Sequence, residues 1–591
     1  MPFEIPWITL TVFTPILGAL VLAFVPPEHR QLHRHGAVAF MVLTFFMSLP
    51  ILLGFDPTVG TYQLTTAAED VVWIPALNAN YHVGVDGISL WLVMLTTFLG
   101  PIVALSGYKY IETKTREYHV ALLVLQGAML GALVSLDVLL FYVFWELMLI
   151  PLYLLIGVWG GDNRIYAALK LFLYTMAGSV LMLLAVMYLY FAGGQSSFAI
   201  DHIIATGQSL PFDTQRILFM AFAVAFLIKV PVFPFHTWLP DAHVQAPTAG
   251  SVILASVLLK MGTYGLIRYA MPAFPDAALW AGPGIAVLAV IGIVYGALIA
   301  YVQKDVKKLI AYSSVSHLGF VVLGLFALTS ISVTGALYQS LAHGITTGGL
   351  FLCIGILYER RHTRLMSEFG GLTKQIPLFA VFFIIICMGS AGVPGLVGFA
   401  GEFMILTGSA TSPFLNPGEN LSFFGSLPWG PDMGAMLFVT VAASGVIFGA
   451  LYLLLMIQKV MFGPLDNPKN QDMEDLKPRE IAYLLPLVLL TFLMGIFPQT
   501  FIRYMEPSVD QFMMTMENGS VEYQHLFDND DRRDADYELW QSEGAADAAW
   551  DFQSGFSYGD GHGGAHGGGH GDDHGTDDEH GDAAHGAEHG E

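Results

Sequence analysis

Residues 222–243 read FAVAFLIKVPVFPFHTWLPDAH. The first half is apolar enough for a membrane helix, yet it runs into Lys229 and then into Pro231 and Pro234. A lysine at the centre of a spanning helix costs about 2.5–3.5 kcal/mol on insertion scales. Proline removes a backbone hydrogen bond, and non-helical backbone at membrane depth has to face protein or a hydrated cavity. The stretch reads as a broken helix inside a membrane bundle, with a titratable group at the break.

The rest of the chain agrees. Of its 591 residues, 54% are hydrophobic and 12% charged, where a soluble domain carries about 25% charged residues. This balance excludes an ordinary soluble enzyme, a disordered protein and a nucleic-acid binder. Cys353 and Cys387 are the only cysteines, and both lie in apolar runs. They exclude a disulfide framework and a cysteine-held metal or iron–sulfur site. A span needs about 20 apolar residues. Fourteen such runs are present, at 8–25, 37–54, 85–106, 119–135, 138–158, 166–192, 216–231, 249–271, 281–302, 309–327, 331–357, 376–409, 434–462 and 481–499. The expected fold class is an all-α polytopic membrane protein.

Placement of Lys and Arg orients the spans. With the N-terminus outside, 17 of the 25 fall in inner loops and five (Arg216, Arg268, Arg503, Arg532 and Arg533) in outer ones. That bias follows the positive-inside rule and puts both termini outside. Lys170, Lys229 and Lys260 are left inside spans.

The titratable residues at mid-span are Glu146, Lys170, Lys229, Lys260, His317, His343 and Glu402. Each alone has a plainer use. Glu146 suits a static ion pair, Lys170 suits a side chain reaching back to the interface, and the histidines suit satisfied core positions. Together they read as a proton relay, because Glu, Lys and His each hold or release a proton when burial and neighbours shift the pKa. Lys170, His236, Asp241 and His243 are additional relay candidates beside the first break. A metal site at His317 and His343 is the weaker use, since they stand 26 residues apart with no Cys or Asp in either motif.

A second break, at Gly392, Pro394, Gly395 and Gly398, precedes Glu402. Broken helices in corresponding places of two halves mark inverted-repeat transporters. The offsets from Glu146 to His317, Lys170 to His343 and Lys229 to Glu402 are 171, 173 and 173 residues. The proline breaks do not keep that spacing: Pro231 to Pro394 is 163.

Four stretches then carry a resemblance: FWELMLIPLYLLIGVWGG (144–161), KVPVFPFHTWLPDAHVQAPTAGSVILASVLLKMGTYGLIR (229–268), KKLIAYSSVSHLGF (307–320) and GFAGEFMIL (398–406). They are similar to the antiporter-like membrane subunits of NADH–quinone oxidoreductase, respiratory complex I, and among these to chain M. The resemblance covers roughly residues 1–500. It implies two inverted five-helix repeats, spans 4–8 and 9–13, each with one broken helix. It implies that Glu146 pairs with Lys229, that Lys260 is the central relay, that His317 and His343 continue it, and that Glu402 is the terminal site. The function implied is proton translocation coupled to quinone reduction elsewhere in the complex. No redox centre is implied here; flavin, iron–sulfur clusters, NADH and quinone would belong to partner subunits. Neighbouring chains L and N and the lipid bilayer are the implied partners. Glutamate rather than lysine at 402, and no long lateral helix after the last span, favour chain M over those two. The alternative is an Mrp-type cation/proton antiporter subunit, which shares many of these motifs.

The expected organisation is 1–118 for spans 1–3, 119–271 and 281–462 for the repeats, 463–509 for a loop and the last span, and 510–591 for an acidic tail. From Glu517 onward 20 acidic residues face two basic ones, a net of −18 out of the whole chain's −23. Segment 555–591 is rich in Gly, Asp and His, including His562, His566, His570 and His574. Such a composition suits a solvated, disordered extension. Weak divalent-metal binding by its imidazoles is the functional alternative. The expected location is a bacterial inner membrane, multi-pass, with the N-terminus and the tail on the periplasmic side.

Overall fold

A computed structural model describes residues 5–415, 434–520 and Tyr523. The His-rich tail, with His562, His566, His570 and His574, lies outside the described residues. Among the described residues, twelve continuous helices are long and apolar enough to cross a membrane, from Trp7–Phe24 to Pro478–Ile496. The remaining two of the fourteen runs are interrupted. The seventh is Phe212–Lys229 followed, after residues 230–237, by Trp238–Gln245. It therefore extends well past the expected limit at 231, because the proline segment is a break inside the span and not its end. The twelfth is Pro377–Ser390 and Val397–Ala410, separated by residues 391–396.

These breaks explain why the prolines miss the repeat offset. Lys229 is the last helical residue before its break, whereas Glu402 lies in the helix after its break. Pro231 and Pro234 fall in the first gap, and Pro394 and Gly395 in the second. Gly392 and Gly395 have φ of +70° and +84°, a conformation that glycine adopts without steric cost.

Helix ends carry their own signals. Asp86 accepts from the Ile88 and Ser89 amides and caps Gly87–Gly107. Asp305 accepts from Lys307 and Lys308 amides to start Val306–Phe326, and Thr329 caps Ser330–Arg361. Each cap answers amides that a helix leaves unpaired.

Alternating spans define two faces. One, here the N face, holds the start of Trp7–Phe24; the other, the basic face, holds most of the Lys and Arg. Five spans reverse direction, so the repeats Thr115–Ala273 and Pro275–Met461 run inverted. Burial sorts the helices. Thr248–Ala273, Val306–Phe326 and Ser330–Arg361 form the centre, while Arg30–Gly54 and Ala435–Met461 turn most of their residues outward. The outward residues are Leu, Ile, Val, Met and Phe, such as Leu43, Phe46 and Ile447, which suits a lipid surface.

On the N face an antiparallel hairpin, Asp70–Ile74 with Ala79–His82, precedes the third span. Past residue 510 the chain continues as helix Glu506–Gly519, which corrects the expected start of the tail. Val509, Phe512 and Met516 recur at helical spacing and are buried, so this segment belongs to the folded body. Ser508 Oγ accepts from the Gly87 amide at 2.8 Å and donates to the Gly60 carbonyl at 3.0 Å.

Candidate functional site

The central helix Thr248–Ala273 contains two π-helical turns, Leu254–Leu258 and Leu266–Ala270, around the segment Lys260–Gly265. The first widens the helix so that the Leu259 amide donates to Leu254 and not to Ala255. The Ala255 carbonyl then accepts from Lys260 Nζ at 2.6 Å. Such single-turn bulges are frequent at functional sites. Close helix approach completes the geometry. A β-carbon on Gly348 would stand 2.5 Å from Ser256 Oγ, so glycine here leaves room for the Ser256 hydroxyl at the close approach of Ser330–Arg361.

That approach brings Lys260 to His343. Lys260 Nζ donates to His343 Nδ1 at 2.6 Å, and both residues are buried. The His343 and His317 rings lie 5.8 Å apart between centroids. His317 Nδ1–H donates to Glu402 Oε1 at 2.7 Å, and Gln339 Nε2 donates to the same oxygen at 2.9 Å. Tyr452 Oη stands 3.0 Å from His317 Nε2. Lys260, His343, His317 and Glu402 thus form one buried line across both repeats. Desolvated charges so arranged are costly unless paired, and here each finds a partner of complementary chemistry.

Glu146 and Lys229 are brought near each other but not into an ion pair, which corrects the contact implied by the resemblance. Lys229 Nζ rests over the Trp145 ring, 5.0 Å from its centroid, and has no hydrogen-bond partner. Glu146 Oε1 is also buried without one. The reason is geometric. Lys229 ends its helix at the break, and the adjacent Trp145 indole, held by its Nε1–H donating to Ser179 Oγ at 2.8 Å, offers a π face to the ammonium.

Lys170 does not reach the interface alone: its Nζ donates to Asp241 Oδ2 at 2.7 Å. This pair is half-exposed and stands apart from the buried line. His236 is buried against Phe233 and Tyr295, with ring centroids 5.9 and 5.2 Å away. His243 is fully buried and stacked on Phe351 at 4.5 Å, and neither of its ring nitrogens has a hydrogen-bond partner.

A cavity of about 330 Å³ opens beneath this region at the basic face, lined in part by Tyr110, Gln245, Lys307, Phe351 and Glu359. Lys307 Nζ donates to the Ala246 carbonyl at 2.6 Å, and His243 lies within electrostatic reach of both Lys307 and Lys260. Burial, with Glu359 beside it, pushes the Tyr110 phenol above its ordinary range, so it stays a neutral hydroxyl.

Sequence reasoning missed Tyr452, Gln339 and Lys307. Lys307 stood in a Lys-Lys pair read as loop, yet it is the second residue of a helix and buried. Arg268, expected on the outer side, lies within Thr248–Ala273 and is buried. A lone phenol or amide in an apolar helix was the signal available for Tyr452 and Gln339. Among the described residues no three His, Cys, Asp or Glu side chains converge as a metal site.

Comparison with known proteins gives a consistent result. The family model described as "NADH:quinone oxidoreductase/Mrp antiporter, TM" matches residues 135–415. The chain is 40% identical over 514 residues to NADH-quinone oxidoreductase subunit M of Rickettsia prowazekii (strain Madrid E), covering 86% of this chain and 99% of that one. It is 43% identical over 520 residues to subunit M of Rhodobacter capsulatus, covering 85% and 95%. Among solved structures, a chain of respiratory complex I from Thermus thermophilus with bound NADH matches with a TM-score of 0.74 at 31% identity, over 86% of this chain and 99% of that one. A chain of the Mrp complex from Dietzia sp. DQ12-45-1b shares the fold, with a TM-score of 0.71 at 20% identity, over 92% of this chain and 60% of that chain.

Proposed function

The chain belongs to the subunit M family of NADH–quinone oxidoreductase, and from that premise we propose how its buried residues work. It is an antiporter-like, proton-translocating membrane subunit of respiratory complex I, with other subunits of that complex as its partners. The observation that carries the proposal is the buried line Lys260–His343–His317–Glu402, with contacts of 2.6 Å and 2.7 Å at its two ends.

Protons enter from the basic face through the cavity at Lys307 and pass His243 to Lys260. The Lys260 ammonium donates to His343 Nδ1, which leaves a neutral amine and an imidazolium. A ring rotation or a bridging water then covers the gap to His317. His317 passes its Nδ1 proton to Glu402, from which it leaves on the N face. Each group changes charge only while a neighbour compensates, as burial demands. Gln339 and Tyr452 are positioning residues that fix the Glu402 carboxylate and the His317 ring. The trigger is electrostatic: closing the Glu146–Lys229 gap stabilises the Lys229 charge, and opening it repels or releases the proton on Lys260.

We assign flavin, iron–sulfur clusters, NADH and quinone to partner subunits, and chains L and N to the neighbouring positions in the membrane arm. The basic face belongs in the bacterial cytoplasm and the N face in the periplasm. The whole complex in proteoliposomes tests the trigger. Glu146→Ala and Lys229→Ala are each expected to abolish or strongly reduce NADH-driven acidification. Near-normal pumping in both would overturn it. Sodium exchange by a complex lacking flavin and iron would favour the antiporter reading instead.

A further inference from the structure

A buried ion pair lies between Lys260 and the N face. Arg268 follows Lys260 by eight residues on the same helix, about 12 Å nearer that face. Its Nη2 donates to Asp86 Oδ1 at 2.5 Å, and its Nε donates to Tyr264 Oη at 3.3 Å. The guanidinium also lies over the rings of Tyr62 and Tyr264, 5.2 Å from each centroid. Arg268 is 6% exposed and Asp86 3%. The surrounding contacts tie separate segments together. Tyr264 Oη donates to the Leu133 carbonyl at 2.9 Å, and the Asp86 side chain caps the third span. Next to it, Gly87 is so close to Tyr504 that a β-carbon would stand 1.9 Å from the Tyr504 carbonyl oxygen.

Arginine does not deprotonate in proteins, so Arg268 conducts no proton. A fixed cation in a dry constriction instead raises the barrier to hydronium and other cations. The second repeat has no such group. Residues 309–358, 397–415 and 434–458, the spans around His317, Glu402 and Tyr452, contain no Lys or Arg.

We infer that the Arg268–Asp86 pair is the seal that closes the first repeat towards the N face and makes the relay one-way. Protons reach Lys260 from the basic face but leave only through the second repeat, past Glu402. The inference rests on the relay reading above.

The test uses the whole complex in proteoliposomes, with an imposed pH gradient and no NADH. The double variant Arg268→Met with Asp86→Asn removes both charges together and retains a capping side chain. Passive proton flux is expected to rise at least tenfold over the parent, and adding Lys260→Met is expected to suppress the leak. An assembled double variant as tight as the parent would overturn the inference. Should it fail to assemble, Thr263→Cys, with Cys353 and Cys387 replaced by Ala, places a thiol just inside the seal. A membrane-impermeant thiosulfonate added on the N face is expected to leave it unmodified, and modification would overturn the inference. Failure of the relay reading looks different: Lys260→Met alone would then leave NADH-driven pumping unchanged.

Discussion

Lys260 shows how one residue's position becomes a function. Its ammonium is buried, yet a carbonyl released by a π-turn and an imidazole from the next helix both accept from it. Removing the imidazole in His343→Ala leaves a charged or neutral amine without its proton acceptor. Proton flux in NADH-energised proteoliposomes is expected to fall by roughly a hundredfold, the usual contribution of one positioned acid–base group. Flux within twofold of the parent would exclude His343 from the path. Tyr452→Phe removes one hydroxyl and keeps the ring, at a cost of about 1 kcal/mol, so a loss of roughly fivefold is expected in the same assay. No loss would mean that the His317 ring is held by packing alone. Charge decided what was legible at this scale. Lys260 and Glu402 stand out in apolar runs because an ion there is costly, whereas Tyr452 and Gln339 are uncharged and ordinary in a helix. Arg268 was misread because it lies near a span end, where a charge is normally solvated.

Among the elements, the broken helices and the central helix pair set the geometry. Prolines and glycines announced the breaks and their order relative to Lys229 and Glu402, one residue preceding its break and the other following it, whereas the extent of the seventh span beyond its break, to Gln245, had no hydrophobic run to mark it. The π-turns had no sequence signal. Between them, Gly262 and Gly265 let the helix pack closely on Phe226 and Val230. Substituting Gly348→Val forces a side chain into Ser256, and overpacking of this kind costs about 1–3 kcal/mol. Thermal unfolding of the purified complex is expected to show earlier loss of this subunit, with slower pumping as Lys260 and His343 separate. Unchanged stability and pumping would mean that the two helices move apart without consequence.

For the whole molecule, the two faces differ in how they hold charge. At the basic face Arg360 Nη2 donates to Glu480 Oε2 at 2.6 Å, with Glu480 almost fully buried. Removing one partner of a buried pair costs about 3–5 kcal/mol, so Glu480→Ala is expected to cut the yield of assembled complex on native gels. Lys170→Ala breaks a half-exposed pair worth about 1 kcal/mol or less, and assembly is expected to be unaffected. Equal yields from the two variants would contradict this ordering. The helical membrane bundle was legible from hydropathy, and among the described residues twelve of the fourteen apolar runs are continuous spanning helices. Helix Glu506–Gly519 was not, because its apolar residues are few and sit in an otherwise polar stretch.

The most direct measurement is the number of protons moved per NADH oxidised by the complex carrying Glu402→Gln, in proteoliposomes. Glutamine keeps the size of the side chain and its contacts with His317 and Gln339 but cannot carry the proton onward. A lower ratio than the parent's, at a measurable rate of NADH oxidation, is expected. An unchanged ratio would contradict the claim that this chain passes protons along the Lys260–Glu402 line.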